Sequence, residues 1–319
     1  RGPAPRAAGP PFPWGSMTDL GYHIASIAAR RLPVWMTDRM AAWIADVYVS
    51  THPSRAREAA HRVGRAWRAG GLGGPPPPAR ETFRAFAWAL RDFLAARGGG
   101  SRVPAVRLDA ETARHLAAAR AAQAPTLVVS GHFGPWEMAL WWLAREVGPM
   151  EALSAPHRLE AVERFFRARR AAFGVRTLGG ERPAVEALRR LRAGGWIAAL
   201  ADRSWRPAAP ETIPVGERLV AVDAAPLRLA QRAGAQVLPG AAWRDADGQI
   251  AVRFHAPFTL DPERGGLTVD EALVSLSRFF DGHVRAHPTQ WFDWSIRSAR
   301  TAPRGRAAQD PPLARSRAR

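Results

Sequence analysis

The sequence predicts an α/β fold, a mixed and mainly parallel sheet flanked by helices, with amphipathic helices in front of it. Three observations predict this. From about residue 105, short β-prone runs alternate with helical stretches, the pattern of strands joined through crossover helices. Before residue 100 the apolar residues recur only at helical spacing. The chain has 319 residues, 47% of them hydrophobic, enough for a substantial core.

Taken in order, residues 1–16 are rich in Pro, Gly and Arg and read as a disordered extension without the apolar core of a secretory signal. Residues 17–50 read as two amphipathic helical segments broken at Pro33, the second carrying Met36, Met40, Trp43, Ile44 and Val47 at helical spacing. A basic helix over 55–69 follows, with Arg55, Arg57, Arg62, Arg65 and Arg68. Gly70–Gly74 and Pro75–Pro78 form a linker, and a helix over about 80–97 presents Phe83, Phe86, Ala87, Leu90, Phe93 and Leu94 on one face. This organises the chain as a membrane-facing helical region over 17–100, an α/β core over 101–297 and an Arg-rich disordered tail over 298–319. Within the core, strands are expected at Thr126–Ser130, Ala152–Ala155, Val175–Leu178, Trp196–Ala201, Gln236–Trp243 and Gln249–His255. Helices are expected at 109–122, 136–147, 158–172, 182–193, 223–233 and 268–286.

Composition removes several chemistries. All 46 basic residues are Arg and Cys is absent. There is therefore no Walker-type phosphate loop, Schiff-base lysine, thiolate nucleophile or Cys-ligated zinc. The net charge of +18 attracts polyanions, whether nucleic acid, an anionic membrane face or acidic and phosphorylated substrates. No apolar run approaches the roughly 20 residues needed to span a bilayer.

One constellation carries chemistry. Thr126–Ser130 is an apolar strand that ends at Gly131-His132, and Pro135 sits where a helix would begin, with Glu137 in its first turn. This puts an imidazole at the carboxyl end of a strand, where ligands bind in open α/β sheets. Glu137 is expected to reach back, fix the ring's tautomer and stabilise the imidazolium, so that the free nitrogen can take a proton from an attacking hydroxyl. On its own the spacing is common, and a single His at a strand end serves structural roles as readily.

The wider pattern is more specific. His132-Phe133-Gly134-Pro135-Trp136-Glu137 resembles the His-x4-Asp/Glu block of bacterial lipid A biosynthesis acyltransferases and of the related phosphatidylinositol mannoside acyltransferases. That block commonly has Asn where Pro135 stands. Ala199-Leu200-Ala201-Asp202-Arg203 is similar to the second strand-end block, and Pro214-Val215-Gly216 to a following turn, here without its aromatic residue. Gly234–Pro239 and the closing His287-Pro288-Thr289-Gln290-Trp291 follow in the family's order. The resemblance covers roughly residues 17–296.

It implies a lysophospholipid-acyltransferase-like core and transfer of an acyl group from acyl carrier protein or coenzyme A to a hydroxyl of a glycolipid or phospholipid. It further implies a peripheral position on the cytoplasmic face of the inner membrane, an anionic surface as partner, and no cofactor, metal or nucleic acid. By the same resemblance His132 is the general base, Glu137 its orienting partner, and Arg203 a cationic contact to a donor or acceptor phosphate, with Asp202 holding Arg203. An ordinary strand-end ion pair accounts for Asp202-Arg203 equally well. Gly131 and Gly134 either let backbone N–H groups approach the oxyanion or serve as turn residues, and Gly216 falls in the substrate-binding turn. Trp136, Trp141 and Trp142 either pack the core or line an acyl groove. Trp291 and Trp294 are assigned to packing or interface anchoring, His287 to capping or packing, and His255 and His283 to structural roles.

Two other classes compete. A nucleic-acid-binding protein accords with the charge, but no binding module is visible. A hydrolase on an α/β scaffold calls for a Gly-x-Ser-x-Gly elbow, which the sequence lacks.

Overall fold

The structure, a computed structural model, describes residues 19–96, 105–157, 159–179, 182–202, 211–215 and 218–292. The expected terminal extension and tail, Arg203, Gly216 and Trp294 lie outside these residues.

Four helices come first: α1 (Asp19–Arg31), α2 (Val34–Thr51), α3 (Pro53–Ala69) and α4 (Ala79–Ala95). Pro33 separates α1 from α2 because its missing N–H is no loss at a helix start. The α4 helix buries Thr82, Phe83, Ala87, Phe93 and Leu94. α2 meets it through small residues, Thr37, Ala41 and Ala45, together with Tyr48. The two helices are also tied by a forked pair, Arg84 Nε to Asp46 Oδ1 at 2.9 Å and Arg84 Nη2 to Asp46 Oδ2 at 2.6 Å. The consequence is unusual for a globular protein. The large apolar stripe of α2 faces outward, with Trp35 60% and Trp43 68% exposed, and Leu20, Ile24 and Ile27 do the same on α1.

The core contains β1 (Val106–Arg107), α5 (Ala110–Ala121), β2 (Thr126–Ser130), α6 (Trp136–Val147), β3 (Met150–Leu153), α7 (Glu160–Ala172), β4 (Val175–Leu178), α8 (Pro183–Arg192) and β5 (Trp196–Leu200). It continues with β6 (Glu211–Val215), β7 (Arg218–Val222), α9 (Ala225–Ala233), β8 (Gln236–Arg244), β9 (Ile250–Phe254), β10 (Phe258–Thr259) and α10 (Val269–Ala286). The main sheet has the order β1-β9-β8-β2-β5-β3-β4, with β10 added to β8. The stretch β8-β2-β5-β3-β4 is parallel throughout, while β9 runs antiparallel to β8. The mixed, mainly parallel sheet expected from the sequence is therefore present.

Strand β2 lies near the middle and is buried on both faces, which is why it reads as an unbroken apolar run. Val128 joins Leu116, Trp142 and Leu143 on one face. Leu127 and Val129 join Leu191, Leu227, Leu276 and Phe280 on the other. α10 begins with a capping box in which Glu271 N–H donates to Thr268 Oγ1 and Thr268 N–H donates to Glu271 Oε2, so its start agrees with the expected 268.

Three expectations shift. β3 runs over Met150–Leu153 rather than Ala152–Ala155, because buried Met150 already pairs with Val175 and the register with β4 ends at Leu153 opposite Leu178. The hairpin β6–β7 was not expected, since Pro214 interrupts its alternation; it is a two-stranded ribbon apart from the main sheet, and among the described residues no third strand needs the missing N–H. β1 and β10 span only two residues each, too short to show a period.

Candidate active site

In the parallel pairing of β2 with β5, Ser130 lies beside Leu200, and Ala201 N–H donates to Ser130 O at 2.7 Å. Continuing that register past the strand ends brings His132 beside Asp202. His132 Nδ1 is 2.7 Å from Asp202 Oδ1, and His132 N–H donates to Asp202 Oδ2 at 2.8 Å. Trp291 Nε1–H donates to the same Oδ2 at 3.1 Å. Asp202 is 2% exposed, so its charge is held by these donors in a low-dielectric setting. With Nδ1 engaged by the carboxylate as an N–H donor, Nε2 is the basic nitrogen, and the His132 side chain keeps 19% of its surface open.

The loop that carries His132 is held from below. Phe133 is fully buried against Phe280, His283 and Trp291, with ring centroids 5.1, 4.5 and 6.4 Å away. Gly134 N–H donates to Gln290 O at 2.8 Å and Phe292 N–H to His132 O at 2.9 Å, so the loop and the closing segment form a short bridge. Gln290 in turn exchanges two hydrogen bonds with the backbone of Arg244 at the end of β8. Gly134 has φ +47°, and a Cβ there would lie 2.6 Å from Ala242 O, so only glycine fits. A Cβ on Gly131 would meet the Phe133 ring at 2.7 Å and Asp202 Cγ at 3.2 Å. Both glycines thus serve close packing. The N–H of Gly134, one of the two expected oxyanion donors, is already committed to Gln290.

Glu137 does not occupy the position expected for it. It is 8% exposed and forms a forked pair with Arg170 of α7, Nε to Oε2 at 3.0 Å and Nη2 to Oε1 at 2.5 Å. The carboxylate that meets the imidazole is that of Asp202, not Glu137; the expected hold of Asp202 on Arg203 falls outside the described residues. The cause lies in the helix start. Pro135 caps α6 at Trp136, and from the first turn Glu137 projects toward α7 while Trp136 sits edge-on to His132 at 5.3 Å. Arg170 keeps a raised pKa: burial lowers it, but Glu137 and then Glu163 more than offset that.

Trp141 stacks on Phe173 at 4.5 Å and Trp142 belongs to a core cluster, so both are packing residues. His287 ends α10 and stacks on Trp243 at 4.6 Å; burial, and secondarily Arg253, pushes its pKa down to about 4. His283 is 3% exposed and burial holds it well below the ordinary histidine range. His255 is exposed. Trp291 is the residue whose polar role was missed. A buried indole needs an acceptor for its N–H, and that rule alone marks it as a hydrogen-bond donor at the site. Among the described residues no group of three or more His, Asp or Glu side chains is arranged to hold a metal ion.

The family model for bacterial lipid A biosynthesis acyltransferase matches residues 77–296, more than half of the chain and a span that includes the whole His132–Asp202–Trp291 constellation. The chain belongs to this family. The chain is similar to the phosphatidylinositol mannoside acyltransferase of Mycolicibacterium smegmatis, 29% identical over 190 residues, which cover 58% of this chain and 60% of that protein. It is also similar to the protein of the same name from Mycobacterium tuberculosis H37Rv, 30% identical over 182 residues, covering 56% and 55% of the two chains. The matched stretch thus spans little more than half the length of either relative.

Proposed function

We propose that the chain transfers a fatty acyl group from a thioester of acyl carrier protein or coenzyme A to a hydroxyl of a lipid acceptor, with His132 as general base. The observation that carries this reading is the His132–Asp202 pair at the carboxyl ends of β2 and β5. In the reaction, the acceptor O–H gives its proton to His132 Nε2 as its oxygen attacks the thioester carbonyl carbon. The C–S bond then breaks, and the departing sulfur takes the proton from the imidazolium, leaving an ester and a free thiol. Asp202 remains ionised, keeps Nδ1–H in place and stabilises the transient imidazolium. No protein nucleophile is required, in keeping with a sequence that lacks Cys.

Glu137 acts at one remove. Through Arg170 it fixes the start of α6 and with it Trp136, whose indole flanks His132. Arg203, adjacent to Asp202 in sequence, is the proposed cationic contact to a donor or acceptor phosphate, and Gly216 belongs to the proposed substrate-binding turn.

The outward apolar faces of α1 and α2 support peripheral docking on a bilayer, for which we propose the cytoplasmic face of the inner membrane. Among the described residues no helix is long and apolar enough to cross a membrane. The family and the names of the relatives favour a glycolipid acceptor of the lipid A or phosphatidylinositol mannoside type.

His132→Ala is the test of the reaction class. With labelled acyl donor and extracted membrane lipid, acyl transfer is expected to fall on the order of 10²–10⁴-fold at an unchanged melting temperature. Near-normal turnover in the folded variant would rule out the general-base reading.

A further inference from the structure

A second histidine–carboxylate pair lies on the same edge of the sheet. The segment after β3 carries His157, and β3 is separated from β2 only by β5. Strand spacing alone places the ends of β2 and β3 roughly 10 Å apart. His157 Nδ1 is 2.7 Å from Glu163 Oε2, and His157 N–H donates to that same oxygen at 3.0 Å. The ring lies on Phe166 at 4.5 Å and its side chain is 29% exposed, leaving Nε2 without a hydrogen-bond partner among the described residues. These are the features of a built contact: a fixed tautomer, a fixed plane and one open nitrogen.

The surroundings indicate what it would meet. Glu163 and Arg170 stand on one face of α7; Arg170 bonds Glu137 in the first turn of α6, and its charge also acts on Glu163. Arg170 is 7% exposed, yet its Nη1 has no hydrogen-bond partner among the described residues. On its other flank α7 packs Phe165 against Tyr22 of α1, the helix that turns Leu20, Ile24 and Ile27 outward. The pair therefore sits between the catalytic edge and the apolar face that would meet lipid. The carboxylates Glu137 and Glu163 are balanced by Arg170 and by Arg167, whose Nη1 is 3.9 Å from Glu163 Oε1. A locally neutral set of donors and acceptors suits hydroxyls better than a bare phosphate.

We propose that His157, oriented by Glu163, binds the hydroxyl-rich headgroup of the lipid acceptor as it enters from the membrane side. This rests on the lipid acyl-transfer reading above and adds to it the class of headgroup and the residue that selects it. A ring hydroxyl on Nε2 of His157 orients the headgroup while a more distant hydroxyl of the same headgroup is presented to His132.

The test is vesicle flotation of the full chain without acyl donor. Phosphatidylcholine vesicles carrying phosphatidylinositol are compared with vesicles carrying phosphatidylserine, which matches the charge without the polyol ring. The unaltered chain is expected to prefer the phosphatidylinositol vesicles about tenfold, the scale of one good hydrogen bond. His157→Ala and Glu163→Gln are expected to lose that preference while binding phosphatidylserine vesicles normally. His157→Gln, which keeps bulk and a polar head, guards against a folding defect and should lose it too. No preference in the unaltered chain, or a preference that survives in His157→Ala, would overturn the proposal. Because no acyl group moves in this assay, its failure is distinct from a failure of acyl transfer.

Discussion

Asp202 Oδ1 lies 2.7 Å from His132 Nδ1 because Ser130 and Leu200 are register partners in adjacent parallel strands. The pair is thus a product of sheet geometry, two residues beyond the last ladder position on each strand. Trp291 reaches it from the closing segment, and the same segment holds the His132 loop through Gln290 and Phe292.

The Glu137–Arg170 pair is expected to act on stability first. Both side chains are under 10% exposed, so removing one leaves the other charged and buried. Glu137→Ala should cost about 3–5 kcal/mol in urea unfolding. Replacing both residues with apolar side chains of similar size should cost clearly less, and a double-mutant cycle reads the difference. A loss in the double variant equal to the sum of the two single losses would show that the pair is not coupled.

Acid should weaken the fold through α10. His287 titrates near 4 in the folded chain, and His283 is held well below 6.5, its ordinary value. The unfolded chain therefore binds more protons once pH falls below about 6.5, and stability declines from there toward pH 4. Urea midpoints measured at pH 7 and pH 5 should separate, and His283→Phe should narrow the gap. A gap unchanged in that variant would assign the acid sensitivity elsewhere.

The apolar faces of α1 and α2 should matter for lipid and not for folding. Leu20→Ser, Ile24→Ser and Ile27→Ser combined remove side chains that are more than half exposed. Sedimentation with anionic vesicles should fall by tenfold or more, while the melting temperature stays within a few degrees. A collapse in stability with vesicle binding retained would make this face a packing surface.

Much of this was legible in the sequence. The run Thr126–Ser130 agrees to the residue, because a buried parallel strand is a continuous apolar segment bounded by turn residues, and Val175–Leu178 agrees as well although exposed Arg176 interrupts it. α6 was likewise placed at 136–147, since Pro135 marks its start. His132 stood out for its place at a strand end. Its partner did not, because spacing along the chain favours Glu137, whereas the contact that forms depends on the pairing of β2 with β5. The Trp, Met and Val stripe of α2 is read from the sequence as part of a membrane-facing region, but the small residues that form the opposite, inward face, Thr37, Ala41 and Ala45, carry no apolar pattern that marks them. The roles of Arg203 and Gly216 lie outside the described residues.

The central claim is that His132 is the general base and Asp202, rather than Glu137, orients it. The most direct measurement is the single-turnover rate of acyl transfer at saturating donor and acceptor for Asp202→Asn beside Glu137→Gln. The account predicts a fall on the order of 10²–10⁴-fold for Asp202→Asn, with little change in acceptor binding, and a much smaller fall for Glu137→Gln. A near-normal rate in folded Asp202→Asn, together with loss of transfer in Glu137→Gln, would contradict it.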